Sequence, residues 1–159
     1  KEKAMKGNEK VIKVLNENLA DELTAISQYI VHSEMCANWG YDKLHKVIEK
    51  RAIEEMGHVE KLIARILFLE GVPVVSELNK MNIGSAVDIQ LKNDLAAEIG
   101  AVKGYNEGIR ICVEVGDNGS RELLEDNLED EEEHLDWLEA QVDQIAQMGL
   151  QNYLLSKTE

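Results

Sequence analysis

Two short stretches of this sequence pair an acid with an imidazole at one spacing, Glu55-Met56-Gly57-His58 and Glu131-Glu132-Glu133-His134. The second follows the first by 76 residues (55 to 131). A lone glutamate precedes each pair by 33 residues, Glu22 before Glu55 and Glu98 before Glu131, so the lone glutamates are also 76 apart. Residues three apart on a helix face the same way. Each Glu-x-x-His pair could therefore hold one cation, and each lone glutamate could complete its shell. Carboxylate and imidazole donors in this mixture suit iron or manganese better than zinc or calcium. With 4 histidines in the chain, two such pairs would arise by chance in roughly one composition in ten, so the motif alone is weak. The matched lone glutamates are what make it specific.

Four separate helices have to carry these ligands. From Asn8 to about Trp39, Ile12, Leu15, Leu19, Leu23, Ile26 and Ile30 recur at the three-to-four spacing of one buried helical face. Gly40 ends that helix. A second runs from about Tyr41 to Glu70 with Ile48, Leu62 and Leu69 on one stripe, closed by Gly71 and Pro73. After a connection over 71–84, Ser85 reads as a helix cap with Asp88 near the positive end of the dipole. The third helix carries a seam of Leu91, Leu95, Val102, Ile109 and Cys112, with Glu98 and Tyr105 filling its two open positions. Gly116 to Ser120 reads as a tight turn. The fourth helix presents Leu124, Leu128, Leu135, Leu138, Val142 and Ile145, Gly149 stops it, and 150–157 reads as a short tail helix.

Helices of this length are about 40–45 Å long. The turns near Gly40 and Gly116 allow only antiparallel neighbours, whereas 71–84 can stretch ~46–50 Å, one bundle length. The expected architecture is all-α, a four-helix bundle with one long crossover and a short fifth helix. In that register Glu22, Glu55, Glu98 and Glu131 all replace core apolar residues. Buried carboxylates cost several kcal/mol each unless a cation sits among them.

Composition narrows the functional classes. With 159 residues, 44% of them hydrophobic, the chain is read as a single domain over 1–159. A net charge of −14 argues against nucleic acid as a partner. No apolar run approaches the ~18 residues of a membrane span. Lys1 to Gly7 has no apolar core to make a signal peptide, and residues 1–7 are expected to be a flexible N-terminus. Met5 is a candidate native start, with residues 1–4 an extension, and the protein is read as cytoplasmic. Cys36 and Cys112, again 76 apart, form no metal or redox motif and read as buried hydrophobes. His32 and His45 lack a glutamate three residues upstream; Asp42-x-x-His45 is read as surface. Tyr29 and Tyr105 each follow a lone glutamate by seven residues, placed either as aromatic filler or as phenols hydrogen-bonded to ligand carboxylates.

One glutamate from each of two helices, plus Glu-x-x-His from each of the other two, is the ligand pattern of ferritin-like di-iron and di-manganese proteins. The stretches Asp21 to Tyr29, Glu54 to His58, Arg65 to Gly71, Asp130 to Glu139 and Met148 to Leu154 resemble the bacterioferritins, and the likeness covers residues 5–159. The resemblance implies a ferroxidase and iron store. Glu22, Glu55, His58, Glu98, Glu131 and His134 would hold two irons per subunit, with Glu55 and Glu131 as bridges. Fe(II) would be oxidised by O2 or H2O2 and kept as mineral in a 24-subunit homo-oligomeric cage built from dimers. Met56, pointing about 100° away from Glu55, would be the axial ligand of a haem b shared between two subunits. A ferredoxin would serve as the iron-release partner. Lys50 stands where some family members carry an inner-surface histidine. The rival expectation is a di-iron or di-manganese scavenger of oxygen or peroxide that stores nothing; a mini-ferritin relative is a more distant one.

Overall fold

The structure, a computed structural model, describes residues 3–159. Five helices follow one another: α1 (Glu9–Asn38), α2 (Asp42–Phe68), α3 (Val87–Val115), α4 (Asn118–Met148) and α5 (Leu150–Leu155). The helical hairpins α1–α2 and α3–α4 pack together mainly through α1 against α3. The crossover runs the length of the bundle, so α2 and α3 are parallel.

The helix ends show which local signals acted. Asn8 caps α1 by accepting from Lys10 N, and Gly40 takes the left-handed φ of +83° that turns the chain towards α2. Ser85 does not cap α3. The cap position is Ala86, in extended backbone and without a side-chain bond, and the start is held instead by Gln90 Nε2 donating to Gly84 O. The expected turn over 116–120 is shorter too. Gly116 (φ +75°) ends α3, and Asp117 caps α4 directly through Ser120 N. Arg65 at the end of α2 explains this economy: its guanidinium donates to Asp117 Oδ1 and Ser120 Oγ, both at 2.9 Å. A Cβ on Gly119 would sit 2.6 Å from that guanidinium, so a larger residue there would push Arg65 aside. The tail helix spans Leu150–Leu155 rather than 150–157, and Lys157 O accepts from Lys43 N, closing the bundle end over α2.

The core has two apolar clusters. One gathers Leu15, Leu19, Leu62, Ile66, Cys112 and Leu124; the other holds Cys36, Leu44, Ile48, Leu91, Leu138 and Tyr153. Cys36 and Cys112 are thus buried at separate places, and both are free thiols. Two details of the expected core differ. Ile30 is 49% exposed, on the outer side of α1. On α3 the deepest positions are Leu91, Asp94, Glu98, Tyr105, Gly108 and Cys112, while Leu95, Val102 and Ile109 are half-buried. The third helix is therefore rotated so that Asp94, Glu98 and Tyr105 take the middle of its buried face, with Leu91 and Cys112 towards its ends.

At the other terminus, residues 1 and 2 lie outside the described residues. Further along that segment, Gly7 N donates to Leu69 O at 2.8 Å and Lys3 pairs with Glu70 at 3.0 Å.

The crossover has no regular structure, and its backbone groups find partners on α1. Val74 N donates to Asn16 Oδ1, Asn79 N to Thr24 Oγ1, Asn82 N to Gln28 Oε1 and Gly84 N to His32 Nε2, all at 2.8–3.0 Å. Four acceptors at multiples of one helical turn lie in a row along α1, which satisfies buried backbone donors that no helix could pair. Because His32 Nε2 accepts, its Nδ1–H donates to Asp94 Oδ1 at 2.8 Å, and Gln28 Nε2 donates to the same oxygen. Replacing His32 with leucine would leave the Gly84 amide unpaired and Asp94 short of a donor. We expect a loss of about 2–4 kcal/mol, read as a lowered melting temperature, and a smaller loss when Asp94→Leu is added to the same chain.

Candidate metal centre

All six ligand candidates meet at mid-bundle. Glu22 (α1), Glu55 and His58 (α2), Glu98 (α3), Glu131 and His134 (α4) are each at most 5% exposed. They form two overlapping groups in which one donor atom per residue lies within 4.8 Å of every other. The first is Glu22, Glu55, His58 and Glu131; the second is Glu98, Glu55, His134 and Glu131. Glu55 and Glu131 belong to both, and each group adds one lone glutamate and one histidine. This is the arrangement of two adjacent cation positions with two shared carboxylates.

The contacts follow that symmetry. Glu55 lies between the imidazoles, Oε2 at 3.1 Å from His58 Nδ1 and Oε1 at 3.0 Å from His134 Nδ1. His58 Nδ1 also approaches Glu131 Oε1 at 3.0 Å and Glu22 Oε1 at 3.3 Å, and His134 Nδ1 approaches Glu98 Oε1 at 3.6 Å. Both histidines thus aim Nδ1 inward. Each outer nitrogen meets a carboxylate at 2.9 Å: His58 Nε2 meets Asp130, and His134 Nε2 meets Glu54. A ring whose Nε2–H is so engaged keeps the Nδ1 lone pair free for a metal and is held in orientation.

Glu54 and Asp130 escaped the reading of the sequence, although the signal was there. They too are 76 apart (54 to 130), each just before a ligand glutamate. Their surroundings differ. Glu54 is flanked by Lys50 Nζ at 3.4 Å and Arg51 Nε at 3.7 Å, while Asp130 is about half exposed and pairs with neither lysine nor arginine among the described residues. Lys50 therefore neutralises the carboxylate behind His134.

The tyrosines are ligand-bonded phenols rather than filler, and they bond crosswise. Tyr29 of α1 donates to Glu98 Oε1 of α3 at 2.6 Å, while Tyr105 of α3 donates to Glu22 Oε1 of α1. Asn127 Nδ2 in turn donates to the Tyr105 oxygen at 3.2 Å. His32, left without a role in the sequence, is fully buried in the strap described above. Met56 is 49% exposed, about 100° round α2 from the fully buried Glu55.

Electrostatics shows what the cluster lacks. Burial pushes Glu22 well above the usual carboxylate range and Glu131 up to about 12, and neighbouring Glu55 and Glu22 respectively add to the effect. Surrounding carboxylates outweigh burial at the imidazoles and raise both, His134 to about 9. Hydrogen bonds from Glu22 and both histidines hold Glu55 ionised against the opposing effect of burial. Protons thus stand in for missing positive charge. Glu98 Oε2 is buried without a hydrogen bond, and an unsatisfied acceptor of this kind marks a place where a cation fits.

A raised histidine pKa stabilises the metal-free fold below about pH 6.5, and that contribution is lost as pH rises through about 9 for His134. A divalent metal must displace those protons. We expect Zn(II) or Fe(II) to release at least about two protons per chain at pH 7, with affinity rising between pH 6.5 and 9. Calorimetry in buffers of different ionisation enthalpy measures this; metal uptake without proton release would contradict the picture.

With this geometry in place, comparison with known proteins is informative. The ferritin-like domain family matches residues 12–148. A bacterioferritin of Rhodobacter capsulatus is 46% identical over 151 residues, covering 95% of this chain and 94% of the relative. One from Brucella melitensis is 42% identical over 149 residues, covering 94% and 92%. A bacterial ferritin of Paramagnetospirillum magnetotacticum is 42% identical over 157 residues, covering 96% and 94%. A four-helix bundle with a crossover, a buried Glu/His cluster in two matched halves and similarity over nearly the whole length agree: the chain belongs to the bacterioferritins, an iron-storage family with the ferritin-like fold.

Proposed function

We propose that this protein oxidises Fe(II) to Fe(III) at the mid-bundle cluster and stores the product as mineral inside a 24-subunit cage. The observation that carries the reading is the pair of overlapping groups sharing Glu55 and Glu131. In it, Glu22 and His58 would hold one iron, Glu98 and His134 the other, with Glu55 and Glu131 available to both. Two adjacent irons supply two electrons together to O2 or H2O2, and hard carboxylate oxygens favour the ferric state.

The chain's own residues arrange the rest. Asp130 and Glu54 keep Nδ1 of each histidine unprotonated and aimed inward once metal is present. Tyr29 and Tyr105 each donate to a lone glutamate, fixing its rotamer and leaving its second oxygen for the metal. Protons driven off the imidazoles and carboxylates have a short way out through Asp130, the more exposed of the two outer acids. A scavenger that stores nothing could use the same centre. Loading with excess Fe(II) in air separates the two: uptake should run far past two irons per chain, and a stop near two would remove storage.

Met56 would hold the iron of a haem b shared with a second subunit. Family membership supports this, together with an exposed thioether whose neighbour one turn earlier, Ile53, is 58% exposed. Outward apolar residues of this size on α1 and α2, with Leu67 and Phe68 beyond, fit a face covered by another copy. Among the described residues, no helix is long and apolar enough to cross a membrane. Reduced protein should show a sharp haem band that disappears in Met56→Ala; a band unchanged by that substitution would refute the ligand.

A further inference from the structure

A second cluster of metal-binding type lies outside the mid-bundle centre, and the function proposed above makes no use of it. It consists of Glu34, His45 and Glu49, whose donor atoms lie within 4.8 Å of one another. Glu34 is on the last turns of α1, and His45 and Glu49 are on the first turns of α2. The tight antiparallel turn at Gly40 brings these two helix ends side by side. His45 and Glu49 are four residues apart and share a face of α2, with His45 Nε2 at 3.7 Å from Glu49 Oε2.

The imidazole is set as a metal ligand would be. His45 Nδ1 lies 3.1 Å from the Ser33 carbonyl oxygen, which can only accept, and 3.3 Å from Ser33 Oγ. Nδ1 therefore carries the proton, and in the neutral ring Nε2 is a lone pair directed at the carboxylates. A backbone carbonyl that fixes the tautomer in this way is a usual partner of a metal-bound histidine. It lies outside the cluster, so it is independent of the acids gathering there. Among the described residues, neither Glu34 nor Glu49 pairs with a lysine or arginine. Two carboxylates and a neutral imidazole carry two negative charges, which a divalent ion among them would cancel.

We infer that Glu34, His45 and Glu49 form a surface site for a borderline divalent transition metal of the Fe(II) or Zn(II) class. One nitrogen and two oxygen donors suit such ions, and with no thiolate and no array of carbonyls the site disfavours Cu(I) and Ca(II). Donors around an ion of this size stand about 3–4 Å apart, so the exposed glutamates close in by rotating their side chains over a fixed helical hairpin. Water fills the remaining positions, and the ion can exchange with solvent. The site shares no ligand with the buried centre.

Zn(II) alone is the probe, applied to the assembled protein so that contacts between copies are included. Anomalous scattering at the zinc edge should place one ion on Glu34, His45 Nε2 and Glu49. Metal analysis after desalting should count one ion per chain more than in His45→Ala, while the peaks at the buried centre stay unchanged in that variant. Glu49→Gln, an exposed substitution with little bearing on folding, should weaken this site at least about tenfold. Zinc at the buried centre with none on these three residues would overturn the inference. So would a zinc count in solution that neither substitution lowers.

Discussion

Four carboxylates in the middle of a helical bundle repel one another, and the rest of this structure is arranged around that fact. Glu22, Glu55, Glu98 and Glu131 occupy positions where aliphatic side chains would pack, and removing each from water costs several kcal/mol. In the metal-free chain, protons shared with His58 and His134 reduce the repulsion. That is a poor substitute for a cation, as the unbonded Oε2 of Glu98 shows. The apolar clusters at either side must supply the stability that this polar layer withholds. The bundle is therefore two dry cores held apart by a charged layer.

The polar layer is also where the two halves of the chain stop being copies. Six ligands, two phenols and two outer carboxylates obey the 76-residue shift. Around them the halves diverge. Gln28, His32 and Asp94 make a bonded network on one side, and the shift maps these residues onto Gly104, Gly108 and Asn18 on the other. A Cβ at Gly108 would sit 2.8 Å from Leu124 and 3.2 Å from Asn18 Oδ1, so a larger residue there would force Leu124 to shift. The network serves the crossover, which exists once and is bonded to α1 and α3. Symmetry is kept where the metal chemistry needs it and dropped where the connection has to be held.

Much of this was legible in the sequence because repetition carries information that a single motif does not. Glu22, Glu55, His58, Glu98, Glu131 and His134 were found by spacing, and the topology followed from the length of the crossover. Helix ends were less legible. Ser85 carries a capping signal that Gln90 and the Gly84 carbonyl override, and the turn after Gly116 is compressed by Arg65, which lies about fifty residues earlier in the chain. Ile30 looked like core because an outward apolar residue keeps the same periodicity as an inward one. The strap histidine His32 left no local trace, since its partners Asp94 and Gly84 are brought to it only by the fold.

The crossed phenols have a mechanical consequence. Each joins a helix of one hairpin to a glutamate of the other, at two points related by the internal symmetry. Sliding one hairpin along the other would strain both bonds at once. The bundle is thereby pinned against shear at its most polar level. Any adjustment a changing ion demands there must come from rotation of glutamate side chains, with the backbone serving as a fixed frame.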